Sequence, residues 1–165
     1  MTAQRQEGIC RRIAIFALFA ALLAAFHPLA GLAATTERVV VNRFSGLAIE
    51  GFDPVAYFVE GYPVRGLPDF ELMQGGAVWR FHNEGNRASF ADHPDIYGPQ
   101  FGGYDPIEVA RGVTLPGNPM FFVVTEQRLY LFSREANRDA FAADPQNLLV
   151  QASARWRELA RGLSQ

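Results

Sequence analysis

Two stretches of this chain carry one pattern 51 positions apart, and that repetition limits the fold more than any other feature. The first runs Val78-Trp-Arg-Phe-His-Asn-Glu-Gly-Asn-Arg-Ala-Ser-Phe-Ala-Asp-His-Pro94, the second Leu129-Tyr-Leu-Phe-Ser-Arg-Glu-Ala-Asn-Arg-Asp-Ala-Phe-Ala-Ala-Asp-Pro145. Phe81/Phe132, Glu84/Glu135, Asn86/Asn137, Arg87/Arg138, Phe90/Phe141, Ala91/Ala142 and Pro94/Pro145 coincide. Each copy reads as a strand ending in Phe, a polar cap and a short helix stopped by Pro, because the residue before Pro avoids helical geometry. Between the copies lies Gly98-Pro-Gln-Phe-Gly-Gly-Tyr-Asp-Pro106, too rich in Gly and Pro for regular structure. The expected organisation is a pseudo-duplicated domain with one irregular loop between its halves.

The remaining elements fit the same plan. Glu37 to Val41 carries β-branched residues for a first strand, with a turn at 42–46. Asp53 before Pro54 is the N-cap of a single helical turn, 54–58. Residues 70–73 and 77–81 around Gly75-Gly76 form a hairpin, and 120–125 and 128–132 form another around Glu126-Gln127. The first repeat helix spans 84–92, and Ile107 to Ala110 adds a turn. Ser133 caps the second repeat helix, and His82 occupies the matching position in the first. From 146 to 161, Leu148, Leu149, Ala152, Trp156, Leu159 and Ala160 form one apolar stripe of a closing amphipathic helix. The fold class is therefore α+β, a small antiparallel sheet built from hairpins with helices packed on it.

Residues 1–34 read as an export signal: Arg5, Arg11 and Arg12, an apolar run from 13 to 26, and small residues for cleavage near Ala34. The run is short for a membrane span, so no stable membrane anchor remains after cleavage, and the expected location is periplasmic or secreted. Arg11-Arg12 resembles a twin-arginine signal, a pair also common in ordinary signals. Residues 35–165 form the single domain. Cys10, the one cysteine, precedes the apolar run, so cleavage leaves no thiolate for a disulfide or a soft-metal site. All 15 basic residues are Arg against 17 acidic residues, and cleavage removes three Arg and one Glu. The resulting acidic balance argues against nucleic acid as a partner.

Several residues are candidates for chemistry. Asp53 and Asp105 each follow an aromatic residue and precede Pro, a context that caps turns and helices or lines a pocket. Gly102-Gly103 either supplies backbone angles closed to other residues or lets a ligand approach the main chain. Asn86 and Asn137, poor helix formers inside short helices, are expected to tie each helix to a neighbouring loop. Glu84 with Arg87, and Glu135 with Arg138, share a helix face and form ion pairs. His82 and His93 stand about 15 Å apart on a straight helix and share no metal there. Met73 and Met120 are expected to fill gaps in the core. No nucleophile elbow, zinc-protease motif or nucleotide-binding loop is present.

Gly51-Phe-Asp-Pro-Val-Ala-Tyr-Phe58, Gly61-Tyr-Pro-Val64, Trp79-Arg-Phe81, Asn86-Arg87, Phe90, Pro94, Tyr97 and Pro99-Gln-Phe-Gly-Gly-Tyr104, taken in order, resemble the YHS-domain family, specifically its small exported bacterial members. The resemblance runs from about Gly46 to Trp156 and implies a metal-handling binding domain. In those proteins Gly-Gly-Tyr is usually followed by Cys, then Ala; here Asp105-Pro106 stand there, and a carboxylate prefers harder cations. The expected function is an exported, non-enzymatic module binding a metal or small ligand through the 98–106 loop, with Asp53, Gly102, Gly103, Tyr104 and Asp105 around the pocket. Two alternatives compete with it. One is a structural or interaction module of the cell envelope with a decayed metal site and a protein partner; the other is an enzyme using Asp105 with a nearby His as acid and base.

Overall fold

The computed structural model describes residues 38–163. The expected export signal and Glu37, the start of the expected first strand, lie outside the described residues. Two antiparallel hairpins set the frame. In the first, β1 (Leu67–Gln74) pairs with β2 (Ala77–Phe81); in the second, β3 (Asn118–Thr125) pairs with β4 (Arg128–Phe132). The helices are α1 (Ala56–Val59), α2 (Glu84–Asp92), α3 (Pro94–Tyr97), α4 (Pro106–Ala110), α5 (Glu135–Ala143) and α6 (Pro145–Gly162). The fold is α+β, with the pairing divided between two two-stranded sheets.

The repetition holds down to register. Leu67 pairs with Phe81 and, after a bulge, Glu71 pairs with Arg80. In the second hairpin Asn118 pairs with Phe132 and, after the same bulge, Phe122 with Leu131. Ring geometry repeats too. Phe81 meets Phe90 at 5.2 Å and 52°, and Phe132 meets Phe141 at 5.1 Å and 53°. Behind each pair a second aromatic ring, Trp79 or Tyr130, leans on the same helix Phe at an interplanar angle of 38°. Each strand thus delivers two alternate inward residues onto one helix.

The repeat also extends further upstream than the sequence pattern suggests. Phe52 bridges to Arg65 and Tyr104 to Pro116; Leu47 bridges in parallel to Val78 and Pro99 to Leu129. The amide of Asp53 bonds to the Val64 carbonyl, and that of Asp105 to the Leu115 carbonyl. The loop around Gly98 to Pro106 is therefore the opening of the second repeat, the counterpart of the segment ending at Pro54. The offset is 52 there and 51 beyond, because the second repeat has one residue fewer between its Asp and its hairpin. Both openings contain a 3-10 turn with left-handed residues: Ile49 and Glu50 in the first, Phe101 and Gly102 in the second.

The two units differ at their ends. After Pro94 the first repeat makes only the four-residue α3, which the sequence reading missed because Pro, Asp, Ile and Tyr give no periodicity. After Pro145 the second runs on as the eighteen-residue α6. Its stripe buries Ala152 fully and packs Trp156 and Leu159 onto Tyr104 and Val109. The expected first strand is reduced to a single bridge, Val41 to Ala48. The cap expectations need correction: the N-cap of α2 is Asn83, whose side chain accepts from the Asn86 amide, and α5 begins after Arg134 with no side-chain cap. Met73 and Met120 do not fill the core; they are 69% and 55% exposed on the hairpins.

Tyr57 joins the repeats, its hydroxyl donating to the Pro119 carbonyl at 3.0 Å. Burial, with the Asp53 charge adding to it and Arg65 opposing, pushes its phenol well above the ordinary tyrosine value. Tyr130 is raised as well, chiefly by burial. A raised folded value gives stability that is complete below the unfolded tyrosine pKa, about 10, and lost as pH rises above it. Urea unfolding between pH 8 and 11.5 should show this alkaline loss. Tyr57→Phe should cost about 1 kcal/mol at neutral pH and make the loss shallower, with the Tyr130 share remaining.

Candidate functional site

The two Asp-Pro turns are the polar centres of the repeats. Asp53 and Asp105 are both fully buried. Asp53 Oδ1 accepts from the amides of Val55 at 2.8 Å and Ala56 at 3.3 Å, which fixes the start of α1. Its Oδ2 accepts from the His82 amide at 2.7 Å and from Asn86 Nδ2 at 2.6 Å. Asp105 repeats the scheme: Oδ1 accepts from the Ile107 amide at 2.9 Å, at the start of α4. Its Oδ2 accepts from the Ser133 amide at 2.8 Å, Ser133 Oγ at 2.7 Å and Asn137 Nδ2 at 2.7 Å. Each carboxylate thus ties a helix start, the end of a strand and the repeat helix together. The expectation that Asn86 and Asn137 tie their helices to a loop holds, and the loop partner in each case is the aspartate.

These contacts decide what the carboxylates can do chemically. A buried carboxylate without a cation is tolerable only when several donors satisfy it, and here four do so in each repeat. Those donors occupy the positions a metal ion would need, and none of the donors to Asp105 is a histidine ring. Among the described residues no group of three or more His, Cys, Asp or Glu could hold a metal ion. His82 and His93 are both exposed, His93 in the link between α2 and α3. The residues present do not fit the metal that the YHS resemblance implies. The four surface-helix charges pair as expected, Arg87 with Glu84 at 2.7 Å and Arg138 with Glu135 at 2.9 Å.

The remaining loop candidates divide between core and cavity. Tyr104 is fully buried and lies 5.9 Å from Trp156, ring to ring. Gly103 has φ +88° and is buried against Pro99 and Val40. Gly102 has φ +63°, and a Cβ built there would lie 1.8 Å from the Arg38 carbonyl oxygen. The close approach that this glycine permits is therefore to the chain's own segment before Val41, whose Val40 amide donates to the Gly102 carbonyl at 2.8 Å.

The first half of the loop does line a cavity. It has a volume of about 570 Å³ and is bounded by Gly98 to Gly102, the hairpin turn at Gln74-Gly75, and α3. Trp79, Phe90 and Phe101 give it an apolar wall; Gln100, Asp95 and Arg128 give polar edges. The Arg128 guanidinium donates to the Asp95 carbonyl and so joins β4 to α3 along one side. Of the five expected pocket residues only Gly102 borders this cavity. Sequence reasoning missed Trp79, Phe90 and Gln100 because their repeat positions look like ordinary core or loop. Comparison of the chain with protein-family models, curated proteins and solved structures found no match.

Proposed function

We infer that this chain is an exported, non-enzymatic binding module of YHS type that takes a small organic ligand in the cavity floored by residues 98–102. The observation that carries the reading is the cavity itself, about 570 Å³ with an aromatic wall and a few polar edge groups. Small-molecule sites have this size and this composition, in which apolar surface supplies affinity and sparse polar groups fix orientation. The expected ligand has an apolar body to lie on the half-buried Phe101, against the buried edge of Trp79, and a polar edge for Gln100 and Arg128. The basic, apolar and small-residue order of the first 34 residues supports export.

The test is a screen of small aromatic fragments by thermal shift and calorimetry, repeated on Gln100→Trp. That substitution places an indole in the cavity from a half-buried position and should weaken the best fragment about tenfold or more. Its own effect on stability should stay within about 1 kcal/mol. Equal fragment affinity in both proteins would remove the cavity from the account.

A second reading, an interaction module of the cell envelope, has its own support. Neither β1 nor β3 pairs with a further strand on its outer side among the described residues, and Met73 and Met120 are exposed on those strands. An unpaired edge can accept a strand from a partner. Recovery of one stoichiometric envelope protein, lost when Pro is placed at the edge of β1, would favour that reading.

A further inference from the structure

The first repeat has an opening where the second has a buried side chain. In the second repeat Glu108 lies three residues after Asp105 and is only 8% exposed. Its Oε1 accepts from Arg134 at 2.8 Å, Asn137 Nδ2 at 3.0 Å and Arg111 at 3.1 Å. By the offsets that relate the repeats, Ala56 stands for Glu108, Asn83 for Arg134, and Val59 for Arg111. The carboxylate and both of its guanidinium partners are thus missing together from the first repeat. In their place is a groove of about 240 Å³ lined by Ala56, Glu60, Tyr62, Val64, His82 and Asn86.

The groove keeps one of the groups that hold Glu108 in the other repeat. Asn137 divides its amide hydrogens between Asp105 and Glu108. Asn86 gives one to Asp53, and among the described residues the other has no acceptor. The His82 imidazole, in the same lining, makes no hydrogen bond among the described residues either; its counterpart Ser133 is bonded to Asp105. In the second repeat a carboxylate stands beside the buried Asp, bridged to it by Asn137 and neutralised by Arg134 and Arg111; in the first repeat the cationic part of that environment has to come from the ligand.

We propose that this groove binds a carboxylate supplied from outside the chain, in the place that Glu108 fills in the second repeat. Asn86 Nδ2 and the His82 ring are its donors. Glu60 lines the same groove and disfavours a bare anion, so the ligand also brings an ammonium or N–H donor to it. A carboxylate with a nitrogen donor beside it is an α-amino acid, free or at the C-terminus of a peptide. This site is separate from the cavity beside residues 98–102 and does not depend on it.

The experiment is an NMR titration of the protein with glycine, N-acetylglycylglycine and sodium acetate, reading the Asn86 side-chain amide and the His82 ring. Glycine or the acetylated peptide should shift both saturably, with a Kd of roughly 0.1–10 mM, as expected for a few hydrogen bonds in an open groove. Saturation by glycine assigns a free amino acid, and saturation by the peptide alone assigns a chain end. Acetate should bind about tenfold more weakly; acetate binding as tightly as either would overturn the role of Glu60 and the amino-acid assignment. The triple variant A56E/V59R/N83R gives the first repeat the second repeat's three side chains and should keep a dispersed spectrum while losing the shifts. His82→Ser, at an exposed ring, is the independent arm and should weaken binding about threefold or more. No saturable shift from either nitrogen-bearing ligand, or unchanged binding in His82→Ser, would overturn the proposal.

Discussion

Asp105→Ala should lower the stability of the domain by about 3–5 kcal/mol, the largest effect of any single side chain at the two Asp-Pro turns. The substitution removes four accepted hydrogen bonds at once and leaves the buried Asn137 amide and the half-buried donors of Ser133 facing an apolar methyl. An unsatisfied buried donor costs its full desolvation, which is why the loss exceeds that of an ordinary cap. The midpoint of thermal unfolding should fall by roughly 10–20 °C. Asp105→Asn is the informative companion. It keeps the volume and one acceptor, yet turns an NH₂ group toward donors if Oδ1 is preserved, so it should recover only part of the loss. Full recovery by Asn would mean that shape, not the number of acceptors, holds the second repeat together.

Gly102→Ala is the second large expectation, about 3–4 kcal/mol. Two costs add. A non-glycine residue at φ +63° is strained by about 1 kcal/mol. The new Cβ would also stand 1.8 Å from the Arg38 carbonyl oxygen, so residues 38–41 must move and the Val40 amide must leave the Gly102 carbonyl. Gly46→Ala provides the control, because Gly46 has φ +69° and nothing within 4 Å of the added carbon. It should cost about 1 kcal/mol, the backbone share alone. Hydrogen exchange at the Val40 amide should speed up in Gly102→Ala and not in Gly46→Ala.

Much of this fold was readable from local chemistry. The hairpin turn at Gly75-Gly76, the helix from Glu84 to Asp92 and the closing amphipathic helix each carry a signal that needs no tertiary context. The Asn86 and Asn137 ties were readable for a different reason: a poor helix former retained in both copies of a repeat calls for a side-chain partner. The identity of that partner was within reach. Phe52-Asp53-Pro54 and Tyr104-Asp105-Pro106 are 52 apart, one more than the helix repeat. Adding them to the pattern moves the irregular loop from between the repeats to the start of the second.

What stayed hidden depended on packing between distant segments. No property of Gly102 itself reveals that residue 38 runs across it. The cavity is likewise a product of placement, since Gln74, Asp95, Gln100 and Arg128 come from the end of one strand, a short helix, a 3-10 turn and the start of another strand. Ala56 and Glu108 are unremarkable one at a time. Their difference has meaning only once the two Asp sites are matched and the Asn beside each is seen to donate to Asp53 alone in the first repeat and to Asp105, Glu108 and, at 3.5 Å, Ser133 Oγ in the second.

Where the resemblance to YHS domains implies a Cys, this chain has Asp105, and the structure gives that carboxylate a role of its own. With Asp there, the position becomes the partner of Ser133 and Asn137, as Asp53 is the partner of His82 and Asn86. Both aspartates are used in holding each repeat to itself, and the proposed binding rests instead on the cavity beside residues 98–102.

One measurement bears most directly on that division. Backbone and indole amide resonances are followed while the protein is titrated, separately, with an aromatic fragment from the screen and with calcium, zinc and copper ions. The account predicts saturable shifts from the fragment at the Trp79 indole and the Gly98 and Gln100 amides, with the His82 and Ser133 amides beside the two aspartates unmoved by any metal. Saturable metal shifts at His82 or Ser133, with no fragment response at Trp79, would contradict it.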